Sequence, residues 1–514
     1  MTDRVRPYLF YGATTALCAT CLRTVEAKEV IEDGRVYLLK RCREHGPQRV
    51  LLADDAAYWR MGRERFLKPP EQVVKPNTAF RYGCPYDCGI CTEHEQHGCV
   101  SLLEITDHCN LRCPTCYAGS GPERTTHRDF AQIESMLDAI VRNEGEPDIV
   151  QVSGGEPTLH PRFFDVLDAC RRRPIRHLMV NTNGVRIANE DGFVERLASY
   201  APAFEVYLQF DSLRDEPQRV LRGAKLLETK LRALERLDRV GLSTTLVATV
   251  RRGLNDDELG ELVRFAVSRP CVRGITFQPV QEAGRVDGHD AALHRLTLSE
   301  VRRRILEQCD WFTPADVVPV PCHPDCLAMA YALRRPSATA PITPLTGLVP
   351  PEVLLEGTRN TITMERDPAL QAAFVRAFST AHGPEGAADA VQKLLCCLPG
   401  FSRGSMDLSY DDVFRIVIMK FLDRHDMDLR SVRKSCVHIA HPDGRRVIPF
   451  DTYNLFYRDE LESTVLAPLR AELSTPLASP VHASPVHVST EHATPAPTNQ
   501  THTHTPRAPS PRRS

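Results

Sequence analysis

The sequence predicts an α/β fold built as a partial (β/α)6 barrel of the TIM type. Short apolar runs alternate with amphipathic helical segments between about residues 101 and 307, and the runs include DIVQVSGGEP, RHLMVNTNG, EVYLQFDS, LSTTLVATV and GITFQPV. Strands that alternate with helices form parallel sheets. About six such units fall short of the eight that close a full barrel, so we expect a partial one.

The bulk composition is that of a globular protein without an electrostatic nucleic-acid partner. The 514 residues are 42% hydrophobic and 25% charged, and the formal net charge is −2. A nearly neutral chain has no large excess of cations to neutralise phosphates, so we expect no nucleic-acid partner. No run reaches the roughly 18 apolar residues of a membrane span, and the N-terminal stretch lacks the pattern of a signal peptide. We therefore expect a cytoplasmic protein, with peripheral membrane contact left open.

Cysteine usage sets this chain apart. It has 18 cysteines, and ten of them precede Tyr117 in three spaced groups. A chain of this length does not need disulfides to fold, and nothing at its start indicates an oxidising compartment. The thiols are therefore interpreted as reduced metal ligands.

Composition and cysteine spacing divide the chain into five segments. We expect a zinc-ribbon or rubredoxin-like mononuclear metal domain at 1–60, an auxiliary iron–sulfur segment at 61–100, the barrel at 101–307, a C-terminal auxiliary metal-binding region at 308–465 and a disordered tail at 466–514. The tail is rich in Pro, Ser, Thr and His, and it cannot bury enough apolar surface to offset the entropy of ordering.

The loop HCNLRCPTCYAG contains three closely spaced thiols, Cys109, Cys113 and Cys116, after the apolar run VSLLEIT. Three thiolates in one loop can hold three irons of a [4Fe–4S] cube and leave the fourth iron open. The amino and carboxylate groups of S-adenosylmethionine (SAM) can chelate an open iron, and an electron from the cluster can then break a C–S bond. Structural zinc usually takes four ligands in paired knuckles, which this loop lacks.

A second cysteine group precedes that loop and contains Cys84, Cys88, Cys91 and Cys99 in GCPYDCGICTEHEQHGC. Four thiolates suit a fully ligated [4Fe–4S] cluster with an electron-relay or structural role, and a zinc site is the alternative. The group opens with the same CxxxCxxC spacing as the loop at 109–116. Two differences separate them: the later loop leads into SGGEP at a suitable strand distance, and the earlier group has a fourth ligand in Cys99.

Two further groups lie near the ends of the chain. Cys18, Cys21, Cys42 and His45 form two knuckles, as in a zinc ribbon or rubredoxin, and the histidine favours zinc slightly over iron. Near the C-terminus Cys322, Cys326 and Cys436 supply three ligands of an expected second auxiliary cluster. Cys396 or Cys397, Asp451 or a nearby histidine could supply a fourth ligand there. The isolated cysteines Cys170, Cys271 and Cys309 are expected in the core.

The chain resembles the radical SAM superfamily in three segments. These are the 109–116 loop, the SGGEP turn and NTNG after the next strand. The resemblance implies that the SGGEP turn binds the amino group of SAM and that polar strand ends face the cofactor. The predicted cofactor contacts are Ser153, Gly154, Gly155, Glu156, Asn181, Asn183, Gln209 and Asp211. For the last four of these, ordinary loop capping is an equally good interpretation.

Within that superfamily the chain is similar to the tetraether lipid synthase subgroup, which has also been described as pterin methylases. The run GCPYDCGICTEHEQHGCVSLLEITDHCNLRCPTCYA, the pair PCHPDC and the segment CVH…PDGRRVIPF carry this similarity over about residues 10–460. It implies three [4Fe–4S] clusters, one mononuclear metal, and a 5′-deoxyadenosyl radical that takes hydrogen from an unactivated carbon. The chain departs from the subgroup at Ser435 and Asp451, where the subgroup has cysteines.

Three functions follow from these expectations. The first is radical C–C bond formation on a lipid-like substrate, which predicts a long apolar tunnel beside the SAM pocket. The alternative is radical methylation of a pterin or another small molecule, which predicts a polar, ring-sized pocket. The third is a non-catalytic iron–sulfur protein for electron transfer. Both enzymatic functions require a reducing partner of the flavodoxin or ferredoxin type.

Overall fold

The structure is a computed structural model that describes residues 6–70, 75–334, 340–348 and 412–474. The described strands form a twelve-stranded sheet, a four-stranded sheet and a two-stranded ribbon. The four-stranded sheet belongs to the N-terminal segment. The twelve-stranded sheet takes its strands both from the predicted barrel and from the C-terminal segment.

The elements are numbered in chain order. The strands are β1 (Leu9–Leu17), β2 (Thr24–Glu32), β3 (Arg35–Cys42), β4 (Gly46–Ala53), β5 (Val100–Glu104), β6 (Thr115–Cys116), β7 (Ile149–Ser153), β8 (His177–Thr182), β9 (Phe204–Gln209), β10 (Thr244–Val250), β11 (Val272–Pro279), β12 (Arg285–Val286), β13 (Val318–Pro319), β14 (Leu327–Leu333), β15 (Thr343–Pro344), β16 (Val413–Met419), β17 (Val437–Ala440) and β18 (Val447–Pro449). The α-helices are α1 (Ala56–Glu64), α2 (Phe130–Glu144), α3 (Phe163–Arg171), α4 (Val185–Asn189), α5 (Phe193–Ala198), α6 (Asp215–Arg222), α7 (Leu227–Val240), α8 (Leu259–Ser268), α9 (Ala291–His294), α10 (Leu298–Gln308), α11 (Leu429–Arg433), α12 (Phe450–Thr452) and α13 (Ala467–Ser474). Short 3-10 helices lie at Pro157–Leu159 and Thr346–Leu348, and π-helical turns lie at Tyr453–Tyr457 and Glu462–Leu466.

Eight strands of the large sheet run parallel, in the spatial order β16, β11, β10, β9, β8, β7, β5, β17. Six of them, β5 and β7 to β11, come from the predicted barrel segment, so the predicted α/β fold with a partial barrel is confirmed. The C-terminal segment adds β16 to one edge and β17 to the other. Sequence reasoning did not find these two strands because they lie outside the regular alternation of strands and helices.

Alternate residues of the barrel strands face the inside of the barrel. His177, Met179 and Asn181 of β8 line the internal cavity, as do Tyr207 and Gln209 of β9. The residues between them join the hydrophobic core beneath the helices, and these are Leu178, Val180, Val206 and Leu208. Because side chains of a strand alternate between its two faces, each strand contributes both to this core and to the cavity wall.

Helix α2 illustrates how the sequence places a helix against the outside of the large sheet. Asp129 caps its first turn by accepting a hydrogen bond from the Gln132 backbone N–H. Its buried residues recur at helical spacing and pack against the sheet, and they are Ile133, Met136, Leu137, Ala139 and Ile140. The helix ends at Gly145, which has a positive φ of 73°.

Buried ion pairs attach the N-terminal sheet to the rest of the chain. The Arg63 guanidinium, on α1, lies 3.0 Å from the Glu29 carboxylate of β2 and 2.9 Å from Asp325. It also lies 3.5 Å from Asp428, just before α11. The Arg63 guanidinium therefore holds together three carboxylates from segments that are distant in sequence.

The C-terminal end of the described chain extends beyond the predicted start of the tail at residue 466. Helix α13 continues to Ser474, because Leu469 is buried and Arg470 donates hydrogen bonds to the Tyr86 carbonyl oxygen. Residues 475–514, the remainder of the predicted tail, lie outside the described residues. Among the described helices, none has the length and apolar character needed to cross a membrane.

Candidate active site and metal centres

The loop with Cys109, Cys113 and Cys116 follows β5 at the carboxyl edge of the parallel strands. All three cysteines line one cavity, which occupies the inside of the barrel. This edge is where ligands bind in barrels and in open parallel sheets. The structure therefore brings the three predicted thiols together on the wall of a cavity.

A short ribbon fixes the far end of this loop. Strand β6 pairs with β12, so that Cys116 lies opposite Arg285. The Arg285 guanidinium donates hydrogen bonds to the carbonyl oxygens of Cys113 (2.6 Å) and Ser120 (2.5 Å). A Cβ at Gly284, where φ is +62°, would overlap the Cys116 carbonyl oxygen. Glycine at this position thus allows the ribbon to hold the loop in shape.

The thiols of the loop fit an iron–sulfur cluster with one open iron. Burial raises the pKa of Cys109 to about 12, and burial raises the pKa of Cys113 as well. Buried thiols of this kind become thiolates when a metal supplies the compensating positive charge. Three such thiols facing a cavity can hold three corners of a cube and leave the fourth corner to a ligand in the cavity.

The SGGE turn after β7 packs directly on the cysteine loop. The Gly155 N–H donates to the Thr106 carbonyl (2.7 Å), and the Glu156 N–H donates to the His108 carbonyl (2.8 Å). A Cβ at Gly154, where φ is +125°, would overlap the Thr106 oxygen, and a Cβ at Gly155 would overlap the His108 oxygen. The two glycines allow this close approach and also line the cavity.

Glu156 is a predicted cofactor contact, but its carboxylate does not line the cavity. It accepts hydrogen bonds from the Thr158 N–H (3.2 Å), the Thr182 hydroxyl (2.8 Å) and the Asn183 N–H (2.8 Å). Burial raises the pKa of Glu156, and these donors oppose the shift. A carboxylate with this many donors is satisfied without a ligand, so Glu156 holds the ends of β7 and β8 in position.

Ser153 and Asp211 are also predicted contacts that do not line the cavity. The Asp211 carboxylate accepts two hydrogen bonds from the Arg222 guanidinium (2.7 and 2.6 Å). Burial raises the pKa of Asp211, but Arg222 outweighs it and lowers the pKa below its ordinary value. The Ser153 hydroxyl accepts a hydrogen bond from the Asn181 amide at 3.3 Å. Both residues therefore position neighbours that do line the cavity.

The other predicted contacts, Asn181, Asn183 and Gln209, line the cavity at the carboxyl ends of β8 and β9. The Gln209 amide donates to the Asn181 side-chain oxygen (3.0 Å). The Asn183 amide donates to the side-chain oxygen of Asn110 in the cysteine loop (2.7 Å). These amides form a polar rim beside the cysteines, and cofactor contact remains the prediction for them.

Sequence reasoning missed Arg222, the last residue of α6. Its guanidinium donates to Gln209 Oε1 (2.8 Å) and Thr249 Oγ1 (2.8 Å) as well as to Asp211, and the residue lines the cavity. Burial lowers the pKa of Arg222, but Asp211 and the nearby Cys113 outweigh it and raise the pKa. Nothing in DEPQRVLRG distinguishes this arginine from a surface residue of an amphipathic helix.

The cavity continues into the barrel, and one side of it is polar. The Glu205 carboxylate lies 3.2 Å from His177 Nε2 and 3.2 Å from an Arg415 guanidinium nitrogen, near the amino ends of their strands. Burial raises the pKa of Glu205, but Arg415 and His177 outweigh it and hold the pKa well below its ordinary value. Farther along, the Gln278 amide donates to the Tyr207 hydroxyl (3.3 Å). The polar residues of FEVYLQ at every second position were the sequence signal for this wall.

Apolar side chains also line the cavity, and they include Val100, Leu102, Met179, Val417, Val437 and Phe450. Some of them share strands with polar lining residues: Met179 lies between His177 and Asn181 on β8, and Val417 lies two residues from Arg415 on β16. The cavity therefore presents both hydrogen-bonding groups and apolar side chains.

The first CxxxCxxC loop lies away from this cavity. Cys84, Cys88 and Cys91 are absent from the cavity wall. The Cys88 N–H donates to the Tyr457 hydroxyl (2.7 Å), and that hydroxyl donates to the Pro85 carbonyl (3.1 Å). The loop is thus held against the π-helical turn at Tyr453–Tyr457.

Cys99 does not join that loop, which corrects the predicted four-thiol set. Its thiol lies in a group with the thiols of Cys322 and Cys436, all within 4.8 Å of one another. Cys99 immediately precedes β5 and Cys436 immediately precedes β17, and these strands pair Val100 with Val437. The register of two parallel strands therefore brings the two cysteines together across a long sequence separation.

The corrected grouping changes what separates the two CxxxCxxC loops. With Cys99 elsewhere, the loop at 84–91 also has three thiols, so the count of thiols no longer distinguishes it from 109–116. The positions of the two loops distinguish them instead. Of the two, the loop at 109–116 lines the barrel cavity and contacts the Gly154-Gly155 turn.

Cys326 and Asp451, both considered for the C-terminal site, lie outside this close group of thiols. The Asp451 carboxylate accepts hydrogen bonds from the Leu422 N–H (2.6 Å) and the Ser435 hydroxyl (3.2 Å). Burial raises the pKa of Asp451 to about 7. Two other candidates, Cys396 and Cys397, lie outside the described residues.

The N-terminal site is assembled as the spacing predicts. The ligand atoms of Cys18, Cys21, Cys42 and His45 all lie within 4.8 Å of one another. The Cys21 and Cys42 thiols are 3.8 Å apart, and His45 Nδ1 lies 3.5 Å from the Cys42 thiol. Four ligand atoms at these distances fit one tetrahedral metal ion.

The three isolated cysteines lie in the hydrophobic core of the barrel. Cys170, Cys271 and Cys309 are buried there and belong to neither close group of metal-ligand residues. Their predicted role as core residues agrees with this placement.

Family models match two parts of the chain. Residues 103–266 match the model of the radical SAM superfamily, a range that includes the 109–116 loop and the strands from β7 to β10. Residues 10–54 match the model of the HMPTM N-terminal zinc ribbon domain, which covers the N-terminal four-ligand site.

Individual proteins are similar over different lengths. The 7,8-dihydro-6-hydroxymethylpterin dimethyltransferase of Methanocaldococcus jannaschii is 29% identical over 491 residues, which are 89% of this chain and 96% of that protein. The GTP 3′,8-cyclase of Alkaliphilus metalliredigens is 31% identical over 187 residues, 35% of this chain and 57% of the cyclase. Among solved structures, Streptococcus suis SuiB bound to S-adenosylmethionine is 19% identical with a TM-score of 0.35, covering 41% of this chain and 47% of SuiB.

Proposed function

We propose that this chain, which matches the radical SAM superfamily over residues 103–266 and a zinc ribbon over residues 10–54, removes a hydrogen atom from a substrate carbon and forms a carbon–carbon bond there. The hydrogen would leave as part of 5′-deoxyadenosine after one SAM is reduced and its C–S bond breaks. In a methylation, the new carbon would be the methyl group of a second SAM, which would leave as S-adenosylhomocysteine with a second electron from the reductant. The observation that carries the proposal is one continuous cavity. The 109–116 thiols and the Gly154-Gly155 turn lie at the carboxyl edge, and the same cavity runs on between the barrel strands. SAM and a substrate can therefore occupy adjoining parts of one enclosed space.

The cofactor and the chain have separate tasks in this reaction. A [4Fe–4S] cluster on the 109–116 loop supplies the electron that breaks the C–S bond of SAM. The Gly154-Gly155 turn and the amides of Asn181 and Gln209 orient SAM at that loop. The Arg222 guanidinium stabilises the thiolates through its positive charge, because it is buried beside Cys113.

Enclosure is the second contribution of the chain. The SAM side of the cavity is bounded by β-strand ends and by Phe450, and the remainder lies between the strands. A reactive carbon radical in such a space meets the substrate rather than water or reductant.

The cavity walls favour a polar, ring-sized substrate. A bare hydrocarbon chain could make no hydrogen bond to Gln278, Tyr207 or the Glu205–Arg415 pair, although these polar groups line the cavity. A flat heterocycle can pack on the apolar side chains and form hydrogen bonds with the polar ones. Methylation of a pterin-like ring is therefore our first candidate, and the similarity to a pterin dimethyltransferase supports it.

The second candidate is coupling of a lipid-like chain. It is supported by the apolar residues of the cavity, of which Leu102, Met179 and Val437 would pack against methylene groups. The two cysteine groups between residues 84 and 116 resemble those of tetraether lipid synthases, which supports it as well.

The reaction is tested by anaerobic incubation with SAM and a chemical reductant. Formation of 5′-deoxyadenosine by the wild type, and its loss in Cys113→Ala, is the expected result. A wild type that forms no more 5′-deoxyadenosine than Cys113→Ala would overturn the proposal.

The substrate class is tested with two labelled probes in the same assay. These are 7,8-dihydro-6-hydroxymethylpterin and a phospholipid with saturated chains, each deuterated at its aliphatic carbons. Transfer of deuterium from the pterin to 5′-deoxyadenosine supports the first candidate. Transfer from the lipid alone would replace it with the second.

A further inference from the structure

We propose that Cys99, Cys322 and Cys436 are three of the ligands of a single tetrahedral metal ion, zinc or ferrous iron, rather than ligands of an auxiliary iron–sulfur cube. The chain would then carry two mononuclear sites, the N-terminal one and this one, whose ligands come from both sides of the barrel segment in sequence. This inference is independent of the substrate and of the chemistry at the 109–116 loop.

The spacing of the thiols is the first argument. The Cys322 and Cys436 sulfurs are 3.6 Å apart, and all three sulfurs lie within 4.8 Å of one another. With metal–sulfur bonds of about 2.3 Å, the edge of a thiolate tetrahedron is about 3.8 Å. In a cube each thiolate binds a different iron, so its sulfurs must spread farther apart than the edge of one tetrahedron.

The N-terminal site supplies an internal standard. There the Cys21 and Cys42 thiols are 3.8 Å apart, in a site that matches a zinc ribbon. Among the described residues, these two are the close groups of potential metal ligands. The thiols of the 109–116 and 84–91 loops form no such close group, as expected for cysteines that bind separate irons.

The strand register makes the site rigid. Cys99 and Cys436 are the residues before β5 and β17, and the Val100 N–H donates to the Cys436 carbonyl (3.1 Å). Cys322 comes from the loop between β13 and β14. All three cysteines are at most 2% exposed, so the packing around them holds the thiols at this spacing.

Two side chains beside the site carry oxygen rather than sulfur. Ser435, next to Cys436, donates its hydroxyl to Asp451, and Asp451 also binds the Leu422 N–H. These side chains satisfy each other rather than the metal site. The family resemblance implies an auxiliary cube in this region, and the close spacing of the three thiols does not fit one.

A single ion here would join three separate parts of the fold. It would fasten the start of β5 to the start of β17 and both to the loop before β14. Strand β17 is the last parallel strand on its side of the sheet and pairs with β18 on its other side, so the ion would help to hold this end of the sheet in place.

The experiment counts metal and acid-labile sulfide in the full chain after anaerobic reconstitution with iron, sulfide and zinc. A [4Fe–4S] cube contains equal numbers of iron and sulfide ions, so the excess of metal over sulfide gives the number of mononuclear metal ions per chain. In the wild type we expect an excess of about two ions per chain, one for each tetrahedral site. An excess of about one would overturn the proposal, and this count does not depend on any variant folding.

Variants then locate the ion. Cys322→Ala should lose about one metal ion and no sulfide, as Cys42→Ala should at the N-terminal site. Cys113→Ala should lose about four iron and about four sulfide, and the isolated Cys170→Ala should lose none. If Cys322→Ala lost iron and sulfide in equal amounts, the site would be a cluster and the proposal would be wrong.

Discussion

The loops at 84–91 and 109–116 share the spacing CxxxCxxC but occupy different surroundings. The later loop follows a barrel strand, touches a pair of glycines and faces the cavity. In the earlier loop, the Cys88 N–H donates a hydrogen bond to the Tyr457 hydroxyl. The Asp87 carboxylate of the same loop accepts hydrogen bonds from the N–H groups of Arg81 and Gly83, which precede Cys84. Both loops present three thiols, yet one of them lies where a small molecule can reach the metal.

This difference shows that ligand spacing identifies a metal site without identifying its role. A cube with an open iron acts on a substrate only where the open corner faces a cavity. Cys99 appeared to settle the roles by adding a fourth thiol to the earlier loop, but strand register places it elsewhere. Position at the carboxyl edge of the sheet carries the assignment instead.

The largest expected effect separates the two loops directly. Cys113→Ala should abolish formation of 5′-deoxyadenosine from SAM with dithionite as reductant, because the open cluster cannot form. Cys88→Ala should retain SAM cleavage with this reductant, since its loop does not face the cavity. Liquid chromatography of the nucleoside products measures both variants. Loss in Cys88→Ala with retention in Cys113→Ala would reverse the assignment of the loops.

The contact between the glycine turn and the cysteine loop is tested by Gly154→Ala. The new Cβ would overlap the Thr106 carbonyl oxygen at a φ of +125°, so we expect SAM cleavage to fall by roughly 10- to 100-fold, or about 1.4–2.7 kcal/mol. Gly119→Ala is the matched control, because Gly119 also has a positive φ (61°) but no atom within 4 Å of the added Cβ. Equal losses in the two variants would show that backbone strain, rather than this contact, limits the reaction.

The polar wall inside the barrel is tested by Glu205→Gln. Removing the charge from a buried pair with Arg415 should cost about 3 kcal/mol of folding stability and raise KM for the substrate. Because the pKa of Glu205 is lowered on folding, its contribution is complete above its ordinary value of 4.5 and lost as the pH falls below that value.

Thermal unfolding should therefore show that Glu205→Gln is less stable than wild type above about pH 5, with a difference that shrinks as the pH falls below 4.5. Glu29→Gln, which removes a buried carboxylate beside Arg63 outside the cavity, is the control for stability alone. If both variants lowered stability but neither changed KM, the polar wall would have no part in substrate binding.

The smallest effect concerns the surroundings of the earlier loop. Tyr457→Phe removes a hydroxyl that bonds both the Cys88 N–H and the Pro85 carbonyl, and should cost about 1 kcal/mol. We expect faster loss of iron from the 84–91 loop on chelation and unchanged SAM cleavage at the 109–116 loop. A change in SAM cleavage instead would mean that the two loops are coupled through the C-terminal turn.

The sequence was informative wherever a function depends on local spacing. The alternation of strands and helices predicted the six central strands, and the knuckles predicted the N-terminal site with its four residues. The 109–116 loop and the glycine turn were both predicted to take part in binding SAM, and the structure places them in direct contact. In each case the residues that meet are close in sequence or follow neighbouring strands.

The sequence was less informative where partners are brought together by the sheet. The pairing of β17 with β5 brings Cys436 next to Cys99, and no local sequence pattern predicts that register. Glu156 and Asp211 follow strands as cofactor contacts would, but their carboxylates are occupied by Thr182 and Arg222. Which way a polar side chain turns at a strand end depends on neighbours from other units, so it was not predictable from spacing.

The central claim is that the cube with the open iron belongs to the loop at 109–116. The most direct test is electron paramagnetic resonance of the reduced protein, with and without SAM, for the wild type, Cys88→Ala and Cys113→Ala. We predict that SAM changes the cluster signal in the wild type and in Cys88→Ala but has no effect in Cys113→Ala. A SAM-dependent change that persisted in Cys113→Ala and vanished in Cys88→Ala would contradict it.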